Sequence, residues 1–203
     1  MNGGELMKKR LSITIAAAIG IILAITITLG TFEFSSQPAP HHRETHSAKI
    51  TVNQFIKQVA PAAQREQRKY HIPASITIAQ AGTESNWGRS KLAYKYNNLF
   101  GIKDNSKHNR VRMYTTENIN GKNKEVKQYF QVYDSWNDSI KSHTYLIVRG
   151  TADNHRRFRG VQTAKNYQQA TYELQKNGYA TDPNYANELI YAIQKFHLNK
   201  YDK

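Results

Sequence analysis

The stretch QAGTESNWGRSKLAYKYNNLFGIK, residues 80–103, carries the reading on which the rest depends. Its first part closes a longer run, ASITIAQAGTES, that is apolar and small until Glu84, with Gly88 just beyond. His71-Ile72-Pro73 breaks the chain before it, and Pro73 suits the first turn of a helix. The spacing therefore predicts a buried helix ending in one carboxyl group. Trp87 follows three residues after Glu84, near enough on helical geometry for the two side chains to meet. Apolar and aromatic neighbours desolvate a carboxylate and raise its pKa, which lets the acid donate a proton near neutral pH. A Glu at a helix end beside a Trp is more often surface decoration, so this pattern alone is weak.

Outward from that helix the periodicity stays helical on both sides and changes only in the middle. Thr51 with Gln54 forms a capping-box signature, and Val52, Phe55, Ile56, Val59 and Ala63 share one face. Pro61 either kinks that helix or begins another. RVRMYTT (110–116) and KEVKQYFQVYD (124–134) alternate apolar with polar around Asn120-Gly121, which predicts a small antiparallel hairpin. Ser135 then caps a helix with Trp136, Ile140, His143 and Ile147 on one face, stopping at Arg149-Gly150. Another helix spans about 167–176, and a last one starts at Asp182-Pro183. The fold class is α+β and mostly helical, with a small β-lobe inserted after the second or third helix. Two lobes imply a cleft.

Residues 80–103 resemble the glucosaminidase family of peptidoglycan hydrolases, glycoside hydrolase family 73. The family pattern, A-x-x-E-S-x-W-G-x-S-x-L-A followed by N-N-L-F-G-I-K, is met by Ala81, Glu84, Ser85, Trp87, Gly88, Ser90, Leu92 and Ala93, then by 97–103. The likeness continues through YFQVYDSWNDSIKSH (129–143) and GYATDPNYANELI (178–190), so it covers about residues 51–202. Gly82-Thr83 and Asn86 depart from the more usual Leu and Gly neighbours of the family's Glu. The resemblance implies a lysozyme-like α-lobe and a β-hairpin lobe forming a cleft. It implies Glu84 as general acid and a second acidic residue in the β-lobe, best matched by Glu117, with Glu125 and Asp134 poorer candidates. It also places a tyrosine at the cleft, matched by Tyr179, with Tyr185 as the alternative. Asn98 and Phe100, on the block expected to line the cleft floor, are candidate sugar contacts, Phe100 equally a core residue. Trp87 reads as core, and Asp182 as a helix cap. The implied reaction is endo-β-N-acetylglucosaminidase cleavage of peptidoglycan glycan after N-acetylglucosamine, without cofactor. A muramidase or lytic transglycosylase of the same fold is the nearest alternative; a non-catalytic wall-binding protein is the next.

The ends and the charge set the location. Met7-Lys8-Lys9-Arg10 precedes a run without charge from Leu11 to Phe32, long enough for a span of about 20 apolar residues. Residues 1–34 are expected to be a signal peptide or, lacking a clear A-x-A site, a retained anchor with the remainder outside. Residues 35–49 (SSQPAPHHRETHSAK) read as a linker, its His41, His42 and His46 as solvated, and 50–203 as the catalytic domain. Cysteine is absent, which excludes a disulfide framework and thiolate chemistry, and no metal motif such as H-E-x-x-H occurs. The formal charge is +14, of which residues 35–203 keep +13. An exported domain so basic suits anionic wall polymers beside the glycan itself; nucleic acid is not an expected partner. HRRFRG (155–160) is the densest basic run for such contact. The expected location is the extracellular face, membrane-anchored or secreted to the wall.

Overall fold

From Ala74 to Gly82 every residue is buried, so one short helix runs through the middle of the molecule. A computed structural model of the chain describes residues 43–104, 109–119 and 122–202, except the side chains of 117–119 and 122–123. The apolar run Leu11–Phe32 lies outside the described residues, and no helix among those described is long and apolar enough to cross a membrane.

The order of elements is α1 (Val52–Tyr70), α2 (Ala74–Ser85), α3 (Lys91–Tyr96), β1 (Arg110–Ile119), β2 (Lys122–Gln131), α4 (Trp136–Arg149), α5 (Arg159–Gln162), α6 (Tyr167–Lys176), α7 (Tyr185–Lys195) and a final 3-10 turn (Leu198–Tyr201). The chain is therefore mostly helical α+β, with one two-stranded sheet following the third helix. The expected capping box opens α1: Thr51 Oγ1 accepts from Gln54 N–H at 3.2 Å and Gln54 Oε1 from Thr51 N–H at 2.9 Å. Pro61 lies on the exposed side, and the helix continues through it. Helix α1 ends where His71 takes a left-handed conformation ahead of Ile72-Pro73.

Helix α2 packs against α1, α7 and the 3-10 turn. Pro73 has no side chain able to cap it, so its first N–H groups need remote acceptors. Gln67 Oε1 takes the Ala74 N–H, and Asp202, from the end of the chain, takes Ser75 N–H at 2.7 Å and Ser75 Oγ–H at 2.6 Å. At the other end Asn86 and Trp87 both adopt positive φ and turn the chain back, so that the Trp87 indole lies over Gly82. A Cβ on Gly82 would stand 2.6 Å from Trp87 Cζ3. The indole thus occupies the space that a side chain at position 82 would need.

The hairpin pairs Arg110 with Gln131 through to Ile119 with Lys122. Its base is joined to the helical body by Gln131 N–H to Ile102 O (2.9 Å), Asp104 N–H to Tyr129 O (3.0 Å) and the buried ring of Phe130. Ser135 caps α4 through Asp138 N–H, as its position predicts, and Trp136 donates its indole N–H to Ala93 O at 3.1 Å. Helix α7 begins at Tyr185, not at Asp182-Pro183. The Asp182 carboxylate instead accepts from Asn184 N–H at 2.7 Å and closes the turn ahead of the helix.

The expectation that His46 is a solvated linker residue does not hold. Glu44 N–H donates to Asp134 O at 2.8 Å, and the His46 imidazole stacks on Trp136 with centroids 3.7 Å apart. Desolvation in that stack holds the His46 pKa below its ordinary value, against the opposing charge of Glu44. The segment from Glu44 to Ile50 is laid against the body by side chains that composition alone classes as polar spacer.

Gly82→Ala tests the packing at the end of α2. In an open helix the change stabilises by about 1 kcal/mol. Here a ring wedged between Phe55 and Phe196 must move, so the variant is expected to lose about 1–3 kcal/mol instead. Equilibrium denaturation measures the difference, and an unchanged or raised midpoint contradicts the steric reading.

Candidate active site

Helix α2 brings its only acidic residue, Glu84, to the last turn, where the buried face of the helix meets α7. The residue is partly exposed, yet its carboxyl group is strongly desolvated and its pKa is raised to about 7. Desolvation is the main cause; the negative charge of Glu188 adds to it, and a hydrogen bond from Tyr185 opposes it. The C-terminal end of a helix also disfavours a negative charge, in the same direction as burial. A carboxyl group so placed holds its proton up to neutral pH and gives it up at small cost.

Two tyrosines form the wall beside it. Tyr185, on the first turn of α7, donates its hydroxyl to Glu84 Oε1 at 3.5 Å and accepts from Gln80 Nε2 at 2.9 Å. Tyr179 stacks on Tyr185 with centroids 5.5 Å apart and planes 22° from parallel. The Tyr179 hydroxyl meets His143 Nε2 at 2.9 Å, and the His143 ring lies flat on Phe100 at 3.9 Å. Burial, together with the nearby charge of Glu84, pushes both phenol pKa values well above the ordinary range, so both remain proton donors. The site is a carboxyl group backed by a layered stack: Glu84, Tyr185, Tyr179, His143, Phe100.

The sequence-derived candidates are distributed unevenly around this stack. Tyr185, ranked behind Tyr179, is the tyrosine bonded to Glu84, while the Tyr179 hydroxyl is joined to His143. Asn98 is not available to a sugar. It is 1% exposed, its Nδ2 donates to Ile102 O and Gln131 O at 2.9 Å, and its Oδ1 accepts from Ile102 N–H at 3.0 Å. Its amide is fully engaged in clamping the hairpin base. Phe100 is likewise fully buried, and its role is core packing beneath His143. Trp87 packs edge-on against Phe55 and Phe196, as a core residue. Glu117 stands on β1 opposite Lys124, in the outer part of the hairpin; its side chain lies outside those described. Glu125 is exposed on β2, opposite Thr116. Among the described residues no cluster of three or more His, Asp or Glu is placed to hold a metal ion.

Gln80 and Glu188 on the Glu84 side, and His143 behind Tyr179, are residues of the site that the sequence reading does not single out. The signal for Gln80 is its position one turn before Glu84 on the same helix face. His143 is a polar residue in the otherwise apolar stripe of α4, and such residues are buried only with a partner. Glu188 follows Tyr185 by three residues, on the same side of α7.

Known proteins resemble this chain in sequence and in fold. The family described as mannosyl-glycoprotein endo-beta-N-acetylglucosaminidase matches residues 60–198. The exo-glucosaminidase LytG of Bacillus subtilis is 40% identical over 200 residues, covering 98% of this chain and 69% of its own length. The peptidoglycan hydrolase FlgJ of Escherichia coli K12 is 35% identical over 147 residues, covering 70% of this chain and 45% of that protein. Among solved structures, the catalytic domain of the autolysin Auto from Listeria monocytogenes superposes with a TM-score of 0.70 at 33% identity, over 78% of this chain and 90% of that one. The glycoside hydrolase domain of Salmonella typhimurium FlgJ, truncated at its C-terminus, gives 0.59 at 31% identity, over 72% of this chain and 98% of that one. The chain therefore belongs to the glucosaminidase family of glycoside hydrolases, and it is a peptidoglycan hydrolase that acts on glycan strands.

Proposed function

We propose that the chain is a β-N-acetylglucosaminidase in which Glu84 protonates the departing glycosidic oxygen after an N-acetylglucosamine unit. The observation that carries this reading is the Glu84 carboxyl itself, held at a pKa of about 7 by burial and touched by the Tyr185 hydroxyl. As the C1–O bond breaks, the oxygen takes the Glu84 proton and the sugar becomes oxocarbenium-like. The emerging carboxylate is then stabilised by the Tyr185 hydroxyl. The helical body and the hairpin act as the two lobes of a lysozyme-like cleft that receives the strand. Glu117 serves as the second carboxylate, meeting the cationic sugar or activating water from the hairpin side. Tyr179 and Tyr185 offer the sugar their hydroxyls and ring edges; Asn98 and Phe100 support the site from within.

The family description supports cleavage inside the strand, which we adopt, and the 40% identity to an exo-glucosaminidase supports cleavage at its end as the alternative. A muramidase reading draws on a probable N-acetylmuramidase of Lactococcus lactis subsp. lactis at 32% identity, matched over 90% of this chain and 41% of that protein. The enzyme works outside the cell, led there by the residues before 35 as signal or anchor, and residues 35–42 serve as its tether. Exposed Arg156 and Arg159 in the 155–160 run, with the net charge of +14, favour contact with anionic wall polymers, whereas Arg157 is paired with Asp153.

Digestion of purified peptidoglycan followed by reduction and mass spectrometry tests the linkage. Reduced N-acetylglucosamine ends are expected, and reduced N-acetylmuramic acid ends move the enzyme to the muramidases. Long products at early times mark endo cleavage; release of single sugars or disaccharides marks exo cleavage. Glu84→Gln should keep the fold and lose about 10²–10⁴-fold in turnover, the usual share of a general acid.

The pH profile follows from the same group. Activity requires the protonated acid, so kcat/KM falls as pH rises through about 7. Tyr185→Phe removes a donor that favours the carboxylate, which raises the Glu84 pKa and moves this limb to higher pH. Glu188→Gln removes a charge that disfavours the carboxylate, which lowers the pKa and moves the limb to lower pH. Shifts of the same sign in both variants rule out Glu84 as the titrating group.

A further inference from the structure

The buried polar atoms behind the tyrosines decide which way their hydroxyl protons point. His143 is 1% exposed, and only Nε2 has a partner, the Tyr179 hydroxyl at 2.9 Å; Nδ1 is buried with none. Two tautomers fit that contact. In one, Nε2–H donates to Tyr179 Oη and the unpartnered Nδ1 is a lone pair. In the other, Tyr179 donates to Nε2 and the unpartnered atom is an N–H. Orphaned buried N–H groups are much rarer than under-satisfied acceptors, and each costs about 1–3 kcal/mol. The first tautomer therefore prevails. Gln80 presents the same choice independently. Its Nε2 faces Tyr185 Oη at 2.9 Å and its buried Oε1 has no partner, so the reversed amide would instead strand two N–H groups.

We propose, on the basis of the glycosidase reading above, that His143 and Gln80 are positioning residues whose donated hydrogen bonds turn both tyrosine protons toward the reacting groups. Tyr185 then directs its O–H as a hydrogen-bond donor to Glu84 Oε1, and Tyr179 keeps its own O–H free for a glycan bound beside it. His143 acts only through Tyr179. Its ring is neutral across the working range, since burial lowers its pKa to about 3, so the direction of the bonds is the same at every pH at which the enzyme acts. Stacking on Phe100 keeps the imidazole in the plane that aims Nε2 at the hydroxyl.

The test needs a signal that packing alone does not move. Two-bond ¹⁵N–¹H correlation on the full chain, labelled at histidine and kept in detergent, reports which ring nitrogen carries the proton. The His143 resonances are assigned by their loss in His143→Gln. A proton on Nε2 is expected; one on Nδ1 overturns the proposal. In turnover, His143→Phe keeps a flat ring over Phe100 but has no donor, and kcat should fall about tenfold, the worth of one such bond, with KM within about twofold. His143→Gln, whose amide nitrogen reaches the position of Nε2, should recover most of that loss. A full rate in His143→Phe, or equal losses in both variants, overturns the proposal. Where His143→Phe does not fold, the tautomer and the Gln variant decide. Failure of the linkage assignment shows separately, as reduced N-acetylmuramic acid ends from the unmodified enzyme, and leaves the tautomer result standing.

Discussion

A carboxyl group that must hold a proton near neutral pH has to be kept out of water, and the structure is organised around the one helix that does this. Helix α2 is buried for nine consecutive residues, Ala74 to Gly82, and most of them are small or β-branched. Small side chains let α1 and α7 approach closely, but they leave the helix without polar groups to satisfy its own ends. The acceptors for its N-terminal turn come from outside the helix. Gln67 and Asp202 cap the N-terminal turn, the latter across 127 residues, and the reversal at Asn86 and Trp87 closes the other end. The last residues of the chain thus hold in place the element that carries Glu84.

Two adjacent asparagines after α3 hold the chain segments on either side of the hairpin. Asn97 Nδ2 donates to the carbonyls of Glu44, Tyr133 and Asp134 at 3.0–3.2 Å, while Asn98 joins Ile102 to Gln131. Each amide satisfies several backbone groups that no regular element reaches, which a buried junction requires. This accounts for an N-N block with no part in touching the sugar. Asn98 holds the end of β2 at Gln131, and β1, which carries Glu117, is paired to β2.

Most elements were legible in the sequence because their signals are local. The Thr51–Gln54 box, the Pro73 break, the period change around Asn120-Gly121 and the Ser135 cap each depend on neighbours within a few residues. What was illegible depends on distant partners. His46 reads as a polar spacer until Trp136 is beneath it, and Asn98 reads as a sugar contact until its amide is seen to be saturated by the hairpin. Asp182 followed by proline is a common cap, yet α7 starts at Tyr185 because the Asp182 carboxylate closes the preceding turn. At the site, Glu84 stands out through its motif, Gln80 through its place one turn before it, and His143 only as a polar residue in an apolar stripe.

The value near 7 at Glu84 is a balance rather than a by-product of burial. Desolvation favours the protonated form, and the Glu188 charge pushes further the same way. The Tyr185 hydroxyl works against both by stabilising the carboxylate, and its ability to do so depends on Gln80 occupying the other side of its oxygen. A phenol that gave its proton to Gln80 would offer Glu84 only a lone pair, and the carboxylate left after proton transfer would have no donor. The group must be acid in one half of the reaction and a stable anion in the next. A donor that strengthens as charge develops lowers the cost of the second state without removing the first, which is the differential stabilisation that catalysis requires.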